Sequence, residues 1–219
     1  MEISVNNLTF SYSKKSPIVL DDVSYTFASN KTYALIGKNG AGKTTLGKVI
    51  LGLVKLKKGD VFIDGRNAKK MRPGKRAEKI GYLFQNPDYQ LFASSVLEEL
   101  SFPFELKKQC TDEVKTKIQA LICEFNLQGK EERYPLSLSG GEKQRLALAT
   151  IMSREIDFII LDEPTSSIDN VGREYIAGFI NKFVENGGGA IIITHDEDLL
   201  DKLDNPTILK LEGGKIRES

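Results

Sequence analysis

Gly37-Lys38-Asn39-Gly40-Ala41-Gly42-Lys43-Thr44 has the form GxxxxGK[ST], between an apolar run at Thr32 to Ile36 and helix-forming residues from Lys43 to Leu53. That context is what a phosphate-binding loop requires, because small residues let successive backbone N–H groups wrap an anion. Within it, Gly37, Asn39, Gly40, Ala41 and Gly42 form the cradle and Lys43 reaches the β and γ phosphates. Thr44 offers its hydroxyl to Mg²⁺. Thr45 either adds a contact to the α phosphate or is an ordinary first-turn helix residue.

A second group of reactive residues falls at the ends of other apolar runs. Phe158 to Leu161 leads into Asp162, Glu163 and Pro164, which places two carboxylates where a parallel strand ends and ligands bind. Asp162 suits Mg²⁺, held through water, and Glu163 suits a general base that orients and deprotonates the attacking water. His195, the only histidine, follows Ala190 to Thr194 at the same expected edge, where a neutral imidazole could meet the γ phosphate or hold that water. Gln85, after Gly81 to Phe84, could sense metal or water. Tyr12 could stack on adenine if exposed, with Phe10 as the competitor that strand alternation assigns to the core.

Leu138-Ser139-Gly140-Gly141-Glu142 starts a helix. Ser139 and Glu142, three apart, form a capping box in which each side chain satisfies an orphan N–H of the first turn. Two glycines are poor helix formers, yet they leave the backbone bare for an anion at the positive end of the helix dipole.

The elements that must hold these residues are legible as periodicities. Ile3 to Phe10 and Val19 to Phe27 predict two strands of an antiparallel layer, with a further strand at Asp60 to Asp64. Phe158 to Leu161 and Ala190 to Thr194, separated by a helical pattern from Val171 to Val184, predict a βαβ unit and hence a parallel sheet. Residues 86–150 carry helical spacing at Val96 to Phe104, Glu113 to Phe125 and Glu142 to Met152. The fold class predicted is α/β: a P-loop NTPase mixed-sheet core, an N-terminal antiparallel β layer and a helical lobe inserted at 86–150, all in one domain spanning 1–219. After Leu211 only a short polar tail is expected.

A chain of 219 residues buries roughly 70% of its unfolded surface. Its 31 basic and 30 acidic residues leave no overall bias toward nucleic acid or acidic lipid. Cys110 and Cys123 flank one helical stretch without a CxxC pair, and are expected to be reduced structural thiols as in a cytosolic chain. No apolar run approaches the ~20 residues of a membrane span, and no signal-peptide pattern opens the chain.

Taken together, the motifs resemble the ATP-binding cassette (ABC) family over essentially the whole chain, in the family's order. The resemblance makes Tyr12 the adenine-stacking aromatic, Gly37 to Thr44 the Walker A loop and Gln85 the Q-loop. Leu138 to Glu142 becomes the signature, Asp162 and Glu163 Walker B with its catalytic glutamate, Ser167-Ile168-Asp169 the D-loop, and His195 the switch histidine. It implies ATP and Mg²⁺ as ligands and two cassettes, identical or sister chains, paired head to tail. Ser139, Gly140, Gly141, Glu142 and Asp169 would then complete the partner's ATP site. Phe84-Gln85-Asn86-Pro87-Asp88-Tyr89-Gln90-Leu91-Phe92 looks more closely like energy-coupling-factor and cobalt or nickel uptake ATPases, which serve vitamin and transition-metal import. Position 89 and the Ser-Ser-Ile-Asp form of the D-loop depart from the usual pattern.

The resemblance also implies a transmembrane partner gripped by the Q-loop and helical lobe, at the cytoplasmic face of the membrane. A soluble cassette ATPase of DNA repair or translation is the alternative; it usually carries a coiled-coil insertion or tandem cassettes, and the neutral charge does not favour nucleic acid. A small-molecule P-loop kinase would need neither the signature nor Glu163.

Overall fold

Alternation along a few buried strands decides the architecture. In the computed structural model, which describes residues 1–109, 111–166 and 168–218, β7 (Phe158–Asp162) and β8 (Gly189–Ile193) are buried along their whole length. Phe158, Ile160, Ile191 and Ile193 join one apolar core, whereas Ile159, Leu161, Ala190 and Ile192 join another. Successive strand side chains point to opposite faces, so two covered faces produce the continuous apolar runs seen in the sequence.

These strands lie in a sheet ordered β10-β9-β3-β8-β7-β6, with β3 Thr32–Ile36, β6 Ile80–Leu83, β9 Thr207–Glu212 and β10 Lys215–Glu218. Pairings from β9 to β6 are parallel and β10 returns antiparallel at the edge. A second sheet, β2-β1-β4-β5, is antiparallel, with β1 Glu2–Phe10, β2 Leu20–Ala28, β4 Lys58–Ile63 and β5 Arg66–Asn67. The first core lies between this layer, α1 (Lys43–Leu51) and one face of the parallel sheet.

The opposite face is covered by helices. α3 (Val96–Leu106), α4 (Asp112–Glu124) and α5 (Gly140–Met152) come between β6 and β7, and α6 (Asn170–Glu185) joins β7 to β8. Their apolar faces share the second core with Leu83, Ile159 and Leu161. Two short helices, α2 (Pro73–Ala77) and α7 (Glu197–Leu200), complete the set among the described residues. No described helix is long and apolar enough to cross a membrane.

The mixed α/β architecture and the antiparallel layer agree with the sequence expectation, and two details differ, the end of α1 and the residues after Leu211. Helix α1 stops at Leu51 rather than Leu53, because Gly52 takes the left-handed conformation and its N–H bonds back to the last turn. Helix α5 begins at Gly140, directly after the Ser139 cap, as the capping box predicts, although its apolar period starts two residues later. The residues after Leu211 are not a tail: β10 pairs with β9 across a Gly213-Gly214 turn, both glycines at positive φ. Cys123 is a free thiol, exposed near the end of α4, and Cys110 lies outside the described residues.

Ile160 is fully buried and Val171 is 75% exposed. Ile160→Ala should therefore lower unfolding stability by about 2–5 kcal/mol, while Val171→Ala stays within about 0.5 kcal/mol. Urea titrations followed by far-ultraviolet circular dichroism check both.

Candidate functional site

Because β3, β7 and β8 run parallel, their carboxyl ends reach one edge of the sheet, and the loops that follow bring their residues together there. A cavity of 460 Å³ opens at that edge, lined by Tyr12, the loop Asn39 to Thr45, Gln85, Glu163 and His195. A neighbouring cavity of 680 Å³ shares Tyr12 and Asn39 to Ala41 and extends along Lys210 to Gly214.

The glycine-rich loop turns into α1 at Gly42, whose φ of 105° is a conformation that residues with a side chain rarely adopt. The absence of an acidic residue in the first turn leaves its positive end unneutralised. Lys43 is buried, and its ammonium donates to the carbonyls of Gly37 at 2.7 Å and Lys38 at 3.3 Å. The lysine thus crosses the loop that it belongs to. Gly37 closes against the backbone of Leu211, where a Cβ would come within 2.4 Å of the carbonyl oxygen.

Asp162 ends β7 almost wholly buried, and the Thr44 hydroxyl donates to its Oδ1 at 3.0 Å. Tyr82, on the adjacent strand β6, donates its hydroxyl to Oδ2 at 3.0 Å. Burial pushes the Asp162 carboxyl above the ordinary carboxylate range, and the Glu163 charge adds to that, against the lowering effect of the two hydroxyls. A threonine hydroxyl whose hydrogen goes to a carboxylate turns its lone pairs outward. With the Gln85 carbonyl at the same cavity, the donors available are hard oxygens, the set that suits Mg²⁺. No cluster of three His, Cys, Asp or Glu among the described residues could hold a metal by itself, so a cation here would share its ligands with phosphate.

Glu163 has φ of 51°, in the left-handed region, and its N–H is pinned to the carbonyl of Ile193 at 2.8 Å. This conformation costs on the order of 1 kcal/mol for a residue with a Cβ. It turns the carboxylate back across the strand ends to His195, with Nδ1 3.0 Å from Oε1. His195 is itself positioned by its successor. Asp196 Oδ2 accepts from Thr165 and from Arg173 of α6, both at 2.7 Å, which ties the segment after Glu163 to the segment after β8.

Phe10, the last residue of β1, is 4% exposed and belongs to the core, whereas Tyr12, beyond the end of the strand, is 58% exposed and lines the cavity. The two rings meet edge to face, and the Tyr12 hydroxyl hydrogen-bonds that of Thr45 at 3.0 Å. Thr45 is buried under this contact.

The Ser139 run lies elsewhere. It lines a separate cavity of 460 Å³ together with Arg145, Asp169 and Tyr175, with no residue in common with the phosphate-loop cavity. Both halves of the capping box are present: Glu142 N–H donates to the Ser139 hydroxyl and Ser139 N–H to Glu142. Lys130 adds a 2.6 Å ion pair to the other Glu142 oxygen. Lys130 first, then the Ser139 N–H, hold the Glu142 carboxyl down to about 2. The Glu142 side chain, expected among the nucleotide contacts, is instead engaged within its own chain. A Cβ at Gly141 would meet Ile168 and Arg145 only at 3.5 and 3.6 Å, so nothing within the chain demands glycine there. Asp169 caps α6 through Gly172 N–H, on the signature side and not at the phosphate loop. Ser167 of the same motif lies outside the described residues.

The loop after Gln85 is fastened to the signature helix. Lys143 pairs with Asp88 at 2.9 Å and Gln90 donates to the Ala147 carbonyl at 3.1 Å, while Tyr89 and Phe92 between and beyond them face outward. Tyr82, Lys130, Arg173 and Asp196 were not anticipated as site residues. Only Asp196, next to the lone histidine, carried a sequence signal.

A family model described as ABC transporter matches residues 20–166. The chain belongs to the ABC transporter family. This ABC ATPase is 37% identical over 216 residues to the energy-coupling factor transporter ATP-binding protein EcfA1 of Thermotoga maritima, covering 99% of the chain and 80% of the relative. It is 39% identical over 197 residues to EcfA1 of Mycoplasma mobile, covering 90% and 72%. Among solved structures, cbiO1 from Clostridium perfringens, part of the ABC transporter complex cbiONQ, superposes with a TM-score of 0.84 at 28% identity over 98% of this chain and 86% of that one. A bacterial ABC transporter cassette solved as a dimer gives 0.87 at 25% identity, over 99% and 97%. The ABC ATPase thus binds and hydrolyses ATP as the motor of a transporter.

The Glu142 carboxyl makes a signed prediction. Its lowered folded value means that its stabilisation is complete above the ordinary carboxylate range and is lost as pH falls toward about 2. Glu142→Gln should flatten the fall in thermal midpoint between about pH 4.5 and pH 2.5, measured by calorimetry against the unsubstituted chain.

Proposed function

We propose that this chain powers a membrane importer of the energy-coupling-factor type, with vitamins or transition-metal ions as cargo. The observation that carries it is the separation of the signature cavity from the phosphate-loop cavity, on top of the relatedness to EcfA1 proteins. One chain presents two incomplete sites. Head-to-tail pairing with a second cassette would bring Ser139, Gly140 and Gly141 of one chain over the phosphates held by the other. The bare backbone at Gly141 supports that reading, since no neighbour in its own chain uses the space.

In each composite site, Gly37 and Asn39 to Gly42 form the cradle, and Lys43 with the backbone N–H groups of the loop and first helical turn holds the phosphate oxygens. Tyr12 packs beside the adenine and Thr45 anchors its hydroxyl. Thr44, Asp162 and Gln85 would hold Mg²⁺, whose bound charge offsets that of the phosphates. Asp169, at the signature face, would reach across to the partner cassette.

Glu163 is the general base. Its Oε1 is engaged by His195 Nδ1, which leaves Oε2 to take the proton from the attacking water. By donating Nδ1–H to Oε1, His195 fixes the orientation of the carboxylate, so that Oε2 stays directed at the water. Bond formation from water oxygen to the γ phosphorus then accompanies departure of ADP, and the proton resides on Glu163 until product release.

The transmembrane subunit docks where Tyr89 and Phe92 face outward beside Gln85, which sets the chain peripherally at the cytoplasmic face. Lys143–Asp88 and Gln90–Ala147 fasten this docking loop to the signature helix.

Glu163→Gln should retain ATP binding, lower turnover by about 10²–10⁴-fold and accumulate an ATP-bound dimer on size-exclusion chromatography with light scattering. Near-normal turnover would remove Glu163 from the role of base. Lys43→Ala should weaken binding of a fluorescent ATP analogue at least about tenfold, and unchanged affinity would count against the phosphate-loop assignment. Ser139→Ala should lower hydrolysis while the monomer still binds ATP.

A further inference from the structure

Two hydroxyls donate to the buried carboxylate of Asp162, and one of them, that of Tyr82, has no place in the nucleotide chemistry described so far. Tyr82 lies on β6, beside β7, with Tyr82 and Leu83 in register with Ile160 and Leu161. Its side chain is 4% exposed within the first core, where an apolar residue would otherwise be expected. A buried phenol requires a partner, and the partner chosen is Asp162 Oδ2 at 3.0 Å.

The surroundings are shaped for this ring. On α1, a Cβ at Gly47 would come within 2.9 Å of Tyr82 Cε2, 3.3 Å of Ile160 Cγ2 and 3.4 Å of the Tyr82 hydroxyl. Glycine in a helix interior costs about 1 kcal/mol relative to alanine, so its use at a fully internal helical position needs a compensating contact. The compensation is the passage of the Tyr82 ring to Asp162. Phe84 packs edge to face against the ring, with centroids 4.8 Å apart. The hydroxyl therefore has little freedom, and the Thr44 hydroxyl occupies the other carboxylate oxygen, Oδ1, at 3.0 Å.

We infer that Tyr82 is a positioning residue for the cation half of the site: its hydroxyl fixes the plane of the Asp162 carboxylate so that Oδ1 stays with Thr44 and faces the metal–phosphate position. A carboxylate on a strand end can otherwise rotate about χ2, a broad and soft torsion. Held by two hydroxyls on two different elements, it cannot do so without breaking one of them. Hydrogen-bonded partners of metal-binding groups typically alter metal affinity by about 10–100-fold. The inference rests on the reading of Thr44 and Asp162 as the Mg²⁺ side of the ATP site.

Tyr82→Phe keeps the ring and removes only the hydroxyl. Affinity for a fluorescent ATP analogue is measured with excess EDTA and with Mg²⁺, for the unsubstituted chain, Tyr82→Phe, Gly47→Ala and Asp162→Asn, with thermal midpoints recorded for each. Tyr82→Phe is expected to bind the metal-free nucleotide as the unsubstituted chain does and to lose about 10-fold of the Mg²⁺-dependent gain. Gly47→Ala, which displaces the ring, should show a loss of the same kind. Equal weakening with and without Mg²⁺ would reduce Tyr82 to a packing residue and overturn the inference. So would an intact Mg²⁺ gain in Tyr82→Phe when Asp162→Asn has lost it. If Asp162→Asn also keeps the gain, the cation assignment fails and the inference falls with it. Should Tyr82→Phe prove unfolded at the assay temperature, a Mg²⁺ gain retained in folded Gly47→Ala overturns the inference and its loss supports it.

Discussion

Burial of β7 on both faces between two parallel neighbours is the constraint from which the rest of the site follows. A strand covered by α1 and the antiparallel layer on one side, and by the helices on the other, can be polar only where it ends. Asp162 and Glu163 sit at that end, and parallel pairing with β6 and β8 delivers Tyr82 and His195 to the same edge. β3 reaches that edge by pairing with β8, which puts the phosphate loop opposite the two carboxylates. One sheet register thus brings the glycine-rich loop, the two carboxylates and His195 together.

The sequence was most readable where one physical demand dominates a short stretch. Phosphate cradling needs small residues at fixed offsets, and two-faced burial needs uninterrupted apolar residues, so Gly37 to Thr44 and β7 were found without ambiguity. Phe10 is buried as the strand pattern suggested, and Tyr12 is exposed because the strand has ended before it. At Gly140 and Gly141 the apolar period begins too late to mark the helix start, and the Ser139–Glu142 capping box marks it instead. Readability failed where no single demand dominates. β10 was missed because an edge strand of Lys, Ile, Arg and Glu has a single half-buried position and no alternating core face.

Contacts between distant elements were invisible for a different reason. The Tyr82 hydroxyl, the Lys130–Glu142 pair and the Arg173–Asp196–Thr165 cluster join residues from 12 to 80 positions apart in the chain. A tyrosine in an apolar strand reads as core, and a lysine or arginine on a helix reads as a solvated face. Only the folded register reveals that each of these supports a residue with a chemical role. Glu142 is held by its own helix, as the capping-box spacing predicts, and also by Lys130, which that spacing does not reveal.

Glu163 occupies a backbone conformation that glycine or asparagine would adopt at lower free energy. A sequence chosen for folding alone would therefore be drawn away from glutamate at this position. Any stabilisation campaign guided by backbone preference or thermal midpoint would rank Glu163→Gly favourably while deleting the carboxylate that faces His195. At this single φ angle, backbone preference and the contact that the Glu163 side chain makes with His195 pull in opposite directions.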